Sequence, residues 1–137
     1  MRFLVDTNIA SEPFKVQPNA LVVERFNQNI REMGIAAVMW HELLYGFHRS
    51  PESRRKRQLE TYLQQIVLRA LEILPYDRAA AEWFALERAR LTGLERPPSY
   101  ADGQFAAIAA VNDLVLVTRN VSDYSDFAGL SIENWFE

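Results

Sequence analysis

The sequence predicts an α/β fold in which a central, mostly parallel sheet is covered by helices on both faces, and three observations carry that expectation. Short apolar runs that read as buried strands recur along the chain, in "RFLV", "IAAV", "EIL" and "LVLVT". Segments with apolar residues at helical spacing separate them, as parallel strands require, because only a crossover returns the chain to the same edge of the sheet. One of those segments, "YADGQFAAIAAVND", is Ala-rich, with side chains small enough to let a helix lie close to a sheet.

Taken in order, Arg2 to Val5 forms the first strand and Asp6 ends it. A lone Asp after a strand ordinarily caps the next helix or turn, so Asp6 by itself decides nothing. "NALVVERFNQNI" then places Leu21, Val22, Val23, Phe26 and Ile30 at helical spacing, and Gly34 introduces "IAAV" as the second strand. A helix follows from Met39 to Phe47. Pro51 breaks the chain, Ser53 caps the next helix, "RQLETYLQQIVLRAL" continues it, and "EIL" is the third strand. Asp77 is the N-cap of "RAAAEWFALERARLTG", whose end at Gly93 suits a C′ residue, while Pro97 and Pro98 keep the chain extended. The Ala-rich helix and the β-branched strand "LVLVT" complete the pattern.

The 137 residues suit a single domain spanning 1–137, and no internal repeat or low-complexity linker divides it. With 49% apolar residues, three Trp, five Tyr and eight Phe, the chain has the material for a packed core. Cysteine is absent, which excludes a disulfide framework and a thiolate zinc site. The opening apolar run ends at Asp6, far short of a signal peptide, and no membrane span appears, so the cytoplasm is the expected compartment. A net charge of −3 argues against coating nucleic acid by bulk charge. A local basic path remains, in Arg54, Arg55, Lys56 and Arg57, as a candidate for RNA phosphates; on a helix, however, successive cations point in different directions, and a solvated face is the competing reading.

Four acids fall just beyond a strand or at the start of a helix at the same sheet edge: Asp6, Glu42, Asp102 and Asp123. Each alone is an ordinary cap, turn or solvated residue. Together they would meet in one cleft without an obvious cationic partner. Two carboxylates about 4 Å apart repel by roughly 4 kcal/mol at an effective dielectric near 20, so such a group must take up protons or bind a cation. Oxygen ligands without Cys or a His pair favour Mg²⁺ or Mn²⁺, and those ions suit phosphate chemistry. A zinc-protease reading of "HELLYGFH" fails, because His41 and His48 lie about 10.5 Å apart along a helix axis. His41 is expected to be partly buried and satisfied, with a place at the edge of the site as the alternative, and Trp83, Phe84 and Phe105 to be core residues rather than base-stacking platforms.

The ordered set "FLVDTNI", "IAAVMWHELLYG", "YADGQFAAIAA", "LVLVTRNVSDY" and "FAGLSIENW" resembles PIN-domain ribonucleases, and among them the VapC-type toxins of bacterial toxin–antitoxin pairs, across nearly the whole chain. The resemblance implies a PIN-like three-layer α/β/α fold. It implies metal-binding, catalytic acids at Asp6, Glu42, Asp102 and Asp123, with support from Thr7, Asn8, Thr118 and Asn120. It further implies Mg²⁺- or Mn²⁺-dependent endoribonuclease cleavage leaving a 5′-phosphate and a 3′-hydroxyl, a cognate small antitoxin, and a homodimer. The helices around Tyr62 and Trp83 are the candidate dimer surface, if those residues are not core. The stretch "ERFNQNIREMGIAAVMWHELLYG" is similar to the branch of these toxins that cuts initiator tRNA in the anticodon loop.

The pattern has departures. Tyr124 follows Asp123 where the family usually carries Phe, and a "DF" pair occurs instead at Asp126 and Phe127, so Asp126 is the alternative fourth acid. Phe105 stands where Ile is common, and Ala36 where Ser is frequent. A rival of a different class is a non-catalytic PIN-fold module for RNA binding or assembly, against which the presence of all four acids weighs.

Overall fold

A computed structural model describes residues 1–137. Its centre is a sheet of five strands, β1 (Phe3–Val5), β2 (Met33–Ala36), β3 (Glu72–Leu74), β4 (Val115–Val117) and β5 (Ile132–Glu133), in the order β3-β2-β1-β4-β5. All four pairings are parallel, with Phe3 opposite both Met33 and Val115. The three inner strands carry unbroken apolar runs because both their faces are covered: Leu4, Val5, Ile35, Leu116 and Val117 are all fully buried.

The helices are α1 (Thr7–Ala10), α2 (Ala20–Asn29), α3 (Ala37–Arg49), α4 (Arg54–Tyr62), α5 (Leu68–Ala70), α6 (Arg78–Gly93) and α7 (Tyr100–Val111). A π-helical stretch, Leu63–Val67, joins α4 to α5. The strand order explains their distribution. From β1 the chain steps outward to β2 and β3, then returns across β1 to β4 and on to β5, and right-handed crossovers in opposite directions put helices on opposite faces. The two halves diverge between β1 and β4. In open α/β sheets that switch point, at the carboxyl ends of the strands, is where ligands bind. No helix is long and apolar enough to cross a membrane.

Several boundaries follow their local signals. Ser53 caps α4 by accepting the Lys56 N–H, and Asp77 caps α6 by accepting the Ala80 N–H. Two do not. The second strand ends at Ala36, and Ala37 and Val38, expected in the strand, already open α3; in so uniformly apolar a run, register with β1 and β3 sets the border rather than residue type. Gly93 is the last helical residue of α6, and the left-handed position is taken by Glu95 at φ 59°. The Glu95 N–H reaches the Thr92 carbonyl and the Arg96 N–H the Leu91 carbonyl, so the paired bonds of a Schellman motif hold a non-glycine residue there. Strand β5, two residues long, has no sequence signal of its own.

One glycine sets a helix–helix distance. A Cβ on Gly103 would lie 1.9 Å from the ring of buried Phe84, so α6 and α7 approach as closely as they do only because that position is bare. The contact matters because the preceding residue is Asp102. Phe84 and Phe105 are buried in the core as expected, and half-buried Trp83 packs against it on Phe127, at 5.7 Å between ring centroids.

Candidate active site

Asp6 is the first residue beyond β1, and its N–H still bonds the Val117 carbonyl of β4 at 2.8 Å, straddling the switch point. Its side chain does cap α1: Oδ1 accepts the Thr7 N–H at 2.6 Å and the Thr7 hydroxyl at 3.2 Å. The second oxygen is committed across the sheet, where Oδ2 accepts the Thr118 hydroxyl at 2.7 Å and the Asn8 amide at 3.4 Å. Thr118 is itself oriented by the Asn120 N–H, which donates to its hydroxyl at 3.0 Å; Asn8 Oδ1 accepts the Arg119 N–H at 3.3 Å. Thr7, Asn8, Thr118 and Asn120 therefore all hold Asp6, directly or through one bond.

Asp6 is 5% exposed and forms no ion pair. Burial pushes its carboxyl above the ordinary Asp range, the bonds from Thr118 and Thr7 pull it back only in part, and the charge of Asp102 pushes it further up. Asp102 sits in the first turn of α7, whose N-cap Ser99 accepts the Asp102 N–H at 3.2 Å. Its Oδ1 accepts the hydroxyl of buried Tyr124 at 3.1 Å. Burial first, and then the charges of Asp6, Asp102 and Asp123, drive the Tyr124 phenol far above its usual range. Of the four acids, Asp102 touches the phenol, and the charges of Asp6 and Asp123 reach it through space. Asp123, in a single 3₁₀ turn after β4, shares with Asp102 a cleft of about 260 Å³ lined also by Arg96, Ser99 and Asp126.

Glu42 stands apart. It lies on α3 in a neighbouring groove of about 390 Å³ with His41, Tyr76 and Gln104, its side chain 52% exposed and its Oε1 4.0 Å from His41 Nε2. His41 is 72% exposed rather than partly buried, because it faces this groove instead of the core. Asp126, the alternative acid, lines the same cleft as Asp102 and Asp123 but is paired there: Oδ1 lies 3.7 Å from Arg96, and its carbonyl accepts Arg90 at 2.8 Å. No three His, Asp or Glu side chains stand close enough to enclose an ion on their own. The donor chemistry nevertheless fits a hard divalent cation, since Asp6, Asp102 and Asp123 offer carboxylate oxygens that form no ion pair, and Mg²⁺ typically uses one or two carboxylates with water and substrate phosphate.

Two participants were not read as such from the sequence. Glu87, 7% exposed, binds Arg90 through both oxygens at 2.8 and 2.9 Å and accepts the Ala128 N–H at 2.7 Å, tying the loop after Asp123 to α6. Its only signal is a Glu–Arg pair three apart, which looks like any solvated helix pair. Tyr124 had a signal, the departure from Phe, but nothing in the chain order tells that its hydroxyl meets Asp102.

The basic run divides. Arg55 stacks on the Phe14 ring, 3.7 Å from its centroid, and donates to the Phe14 carbonyl; Lys56 donates to the Ser50 carbonyl at 2.9 Å and pairs with Glu52 at 3.0 Å. Arg54 and Arg57 are exposed and have no such partners. Tyr62 is likewise part of the fold, donating to the Ala10 carbonyl at 2.6 Å and packing on Phe14.

A sequence model of the PIN domain family matches residues 3–129. The chain is 36% identical over 137 residues to the "tRNA(fMet)-specific endonuclease VapC" of Shigella flexneri, covering 98% of each. Among solved structures it is similar to FitAcB from Neisseria gonorrhoeae, with a TM-score of 0.90 at 28% identity over 98% of this chain and 99% of that one. It is similar also to the DNA-bound VapBC of Salmonella typhimurium, with a TM-score of 0.84 at 31% identity over 98% of both chains.

Proposed function

The chain belongs to the PIN domain family, and from that membership we propose that it is a VapC-type ribonuclease toxin whose active site is the acidic edge at the β1/β4 switch point. One observation supports this above the others: Asp6 is a buried carboxylate with both oxygens fixed by hydrogen bonds, within the field of Asp102, and without a cation to neutralise it. The energetic cost of that arrangement is explained if a cation belongs there when the protein acts.

A bound Mg²⁺ or Mn²⁺ would supply a Lewis acid for the scissile phosphate and lower the pKa of an attacking water. Asp6 and Asp102 are the residues that would hold it, with Asp123 beside them. Asp123 is the better fourth acid than Asp126, because it adds to the field on Tyr124 while Asp126 is paired with Arg96. Glu42, exposed in the adjoining groove, is available to substrate entering beside the cluster. Thr7, Asn8 and Thr118 keep Asp6 from turning away, so the site needs little reorganisation when RNA arrives. Hydrolysis breaks the P–O3′ bond, adds water oxygen to phosphorus, and leaves a 5′-phosphate and a 3′-hydroxyl.

The substrate we propose is initiator tRNA, named for a relative at 36% identity. An RNA target puts the site of action in the cytoplasm. The partner is a small antitoxin that sets an Arg or Lys among the unpaired acids, and the toxin is a homodimer. The contact surface we favour uses exposed Leu86 of α6 rather than Tyr62 or Trp83, which the fold already employs.

Cleavage of initiator tRNA by the purified protein, with RNA ends mapped by sequencing, tests the reading. We expect cuts bearing 5′-phosphates in Mn²⁺ or Mg²⁺ and none in excess EDTA, with Asp6→Asn lowering the rate about a thousandfold, as loss of several kcal/mol of transition-state stabilisation requires. Full activity in EDTA would overturn the metal mechanism. Tight RNA binding without turnover would instead favour the non-catalytic module.

A further inference from the structure

Tyr124 is a buried polar group that the chemistry above does not use. Its ring packs edge-on against Phe105, with centroids 5.5 Å apart at 80°, inside the layer behind α7. Its hydroxyl donates to Asp102 Oδ1 at 3.1 Å. A buried tyrosine hydroxyl needs a partner, so satisfaction of Tyr124 by Asp102 is one explanation. The geometry gives the bond a second consequence. Asp102 stands in the first turn of a helix whose N-cap is Ser99, a spacing that invites an acid to fold back on the cap; Tyr124 binds one of its oxygens instead and leaves the other free.

We propose that Tyr124 is a positioning residue for divalent-cation binding, its hydroxyl holding one oxygen of the Asp102 carboxylate so that the other stays available to the cation. Groups that orient a metal ligand raise affinity by removing rotamers the ligand would otherwise lose on binding. Asp6 receives that service from Thr7, Asn8 and Thr118; Asp102 receives it from Tyr124 alone. The inference rests on the proposal that these acids bind metal.

Calorimetric titration with Mn²⁺ alone, in the absence of RNA, tests it on wild type, Tyr124→Phe, Asp102→Ala and the double variant. Phenylalanine keeps the ring and its packing against Phe105, so the thermal midpoint should stay near wild type. We expect Tyr124→Phe to weaken Mn²⁺ binding about tenfold, and to have no further effect once Asp102 is alanine. RNA cleavage by Tyr124→Phe should fall at limiting Mn²⁺ and return to near the wild-type rate when Mn²⁺ is saturating. Wild type that binds no Mn²⁺ would bring down the metal site and this inference with it. Wild type that binds while Tyr124→Phe binds equally well would overturn the inference alone. So would an equal loss in the Asp102→Ala background, a rate that Mn²⁺ does not restore, or failure of Tyr124→Phe to fold, each of which assigns the hydroxyl another role.

Discussion

Two carboxylates six positions apart in the chain are almost equally buried, Asp6 at 5% and Glu12 at 3% exposure, and the protein treats them in opposite ways. Glu12 has a cation: Lys15 stands 2.8 Å from Oε2, while Oε1 accepts the Asn19 N–H at 2.9 Å and so pins the chain ahead of α2. Burial pushes its carboxyl up, but Lys15, the Asn19 N–H and the more distant charge of Arg119 outweigh that and hold it below the usual Glu range. Asp6 has hydrogen bonds and no cation, and stays above the usual Asp range. One acid has been neutralised within the fold. The other is kept in need of positive charge, which is what separates a ligand site from a structural bond in this molecule.

The largest stability effect should come from removing the satisfied acid. Glu12→Gln should lose about 1.5–3 kcal/mol at neutral pH, the worth of charge-assisted hydrogen bonds. Because the native carboxyl lies below its unfolded value of 4.5, its contribution is present above that pH and disappears as pH falls through the lower native value. Chemical denaturation of wild type and variant should therefore converge on acidification, and a constant difference would break the contrast.

Asp6→Asn should behave with the opposite sign and a smaller size. The native carboxyl lies above its unfolded value of 3.8, so its favourable contribution is complete below that pH and is lost as pH rises through the raised native value. The metal-free variant should gain stability over wild type between those conditions and neutrality, while losing cleavage. Added Mn²⁺ should raise the unfolding midpoint of wild type and not of the variant, since only the former binds it in the folded state. A destabilised Asp6→Asn in EDTA at neutral pH would mean that Asp6 belongs with Glu12 after all.

The smallest effects should separate the cations of α4 along the same line. Replacing Arg54 and Arg57 by Ala should leave the unfolding midpoint unchanged and flatten the salt dependence of RNA binding by about 0.7 in slope for each phosphate no longer neutralised. Arg55→Ala should cost about 0.5–1 kcal/mol of stability through its stacking on Phe14. Equal salt slopes for wild type and the double variant would show that Arg54 and Arg57 serve neither fold nor RNA.

The alternation of apolar strands and capped helices was legible because each signal is local. Ser53 and Asp77 cap where they stand, and "LVLVT" is apolar because strand β4 is covered on both faces. The border between β2 and α3 was not legible, nor was the end of α6, where paired backbone bonds seat Glu95 in a conformation more typical of glycine. The four acids could be nominated from their places after strands and at helix starts. Their division, with Asp102 and Asp123 sharing a cleft, Asp6 held by Thr118 and Glu42 beside His41, could not, because it depends on which way side chains from β1, α3, α7 and the turn after β4 point once packed.

The sequence by itself determined the class of fold, the residue types available for metal and phosphate chemistry, and the edge of the sheet at which they would stand, since hydrophobic periodicity and strand-end position are properties of neighbouring residues. Tertiary structure alone decided that β1 lies beside β4, and with it the bond from Thr118 to Asp6 across 112 positions of chain. It also decided that Asp6 is buried without a cation, whereas the cation of Glu12 lies only three residues along the chain. Charge neutralisation inside a protein depends on distance and desolvation in space, and chain order specifies neither until the sheet has closed.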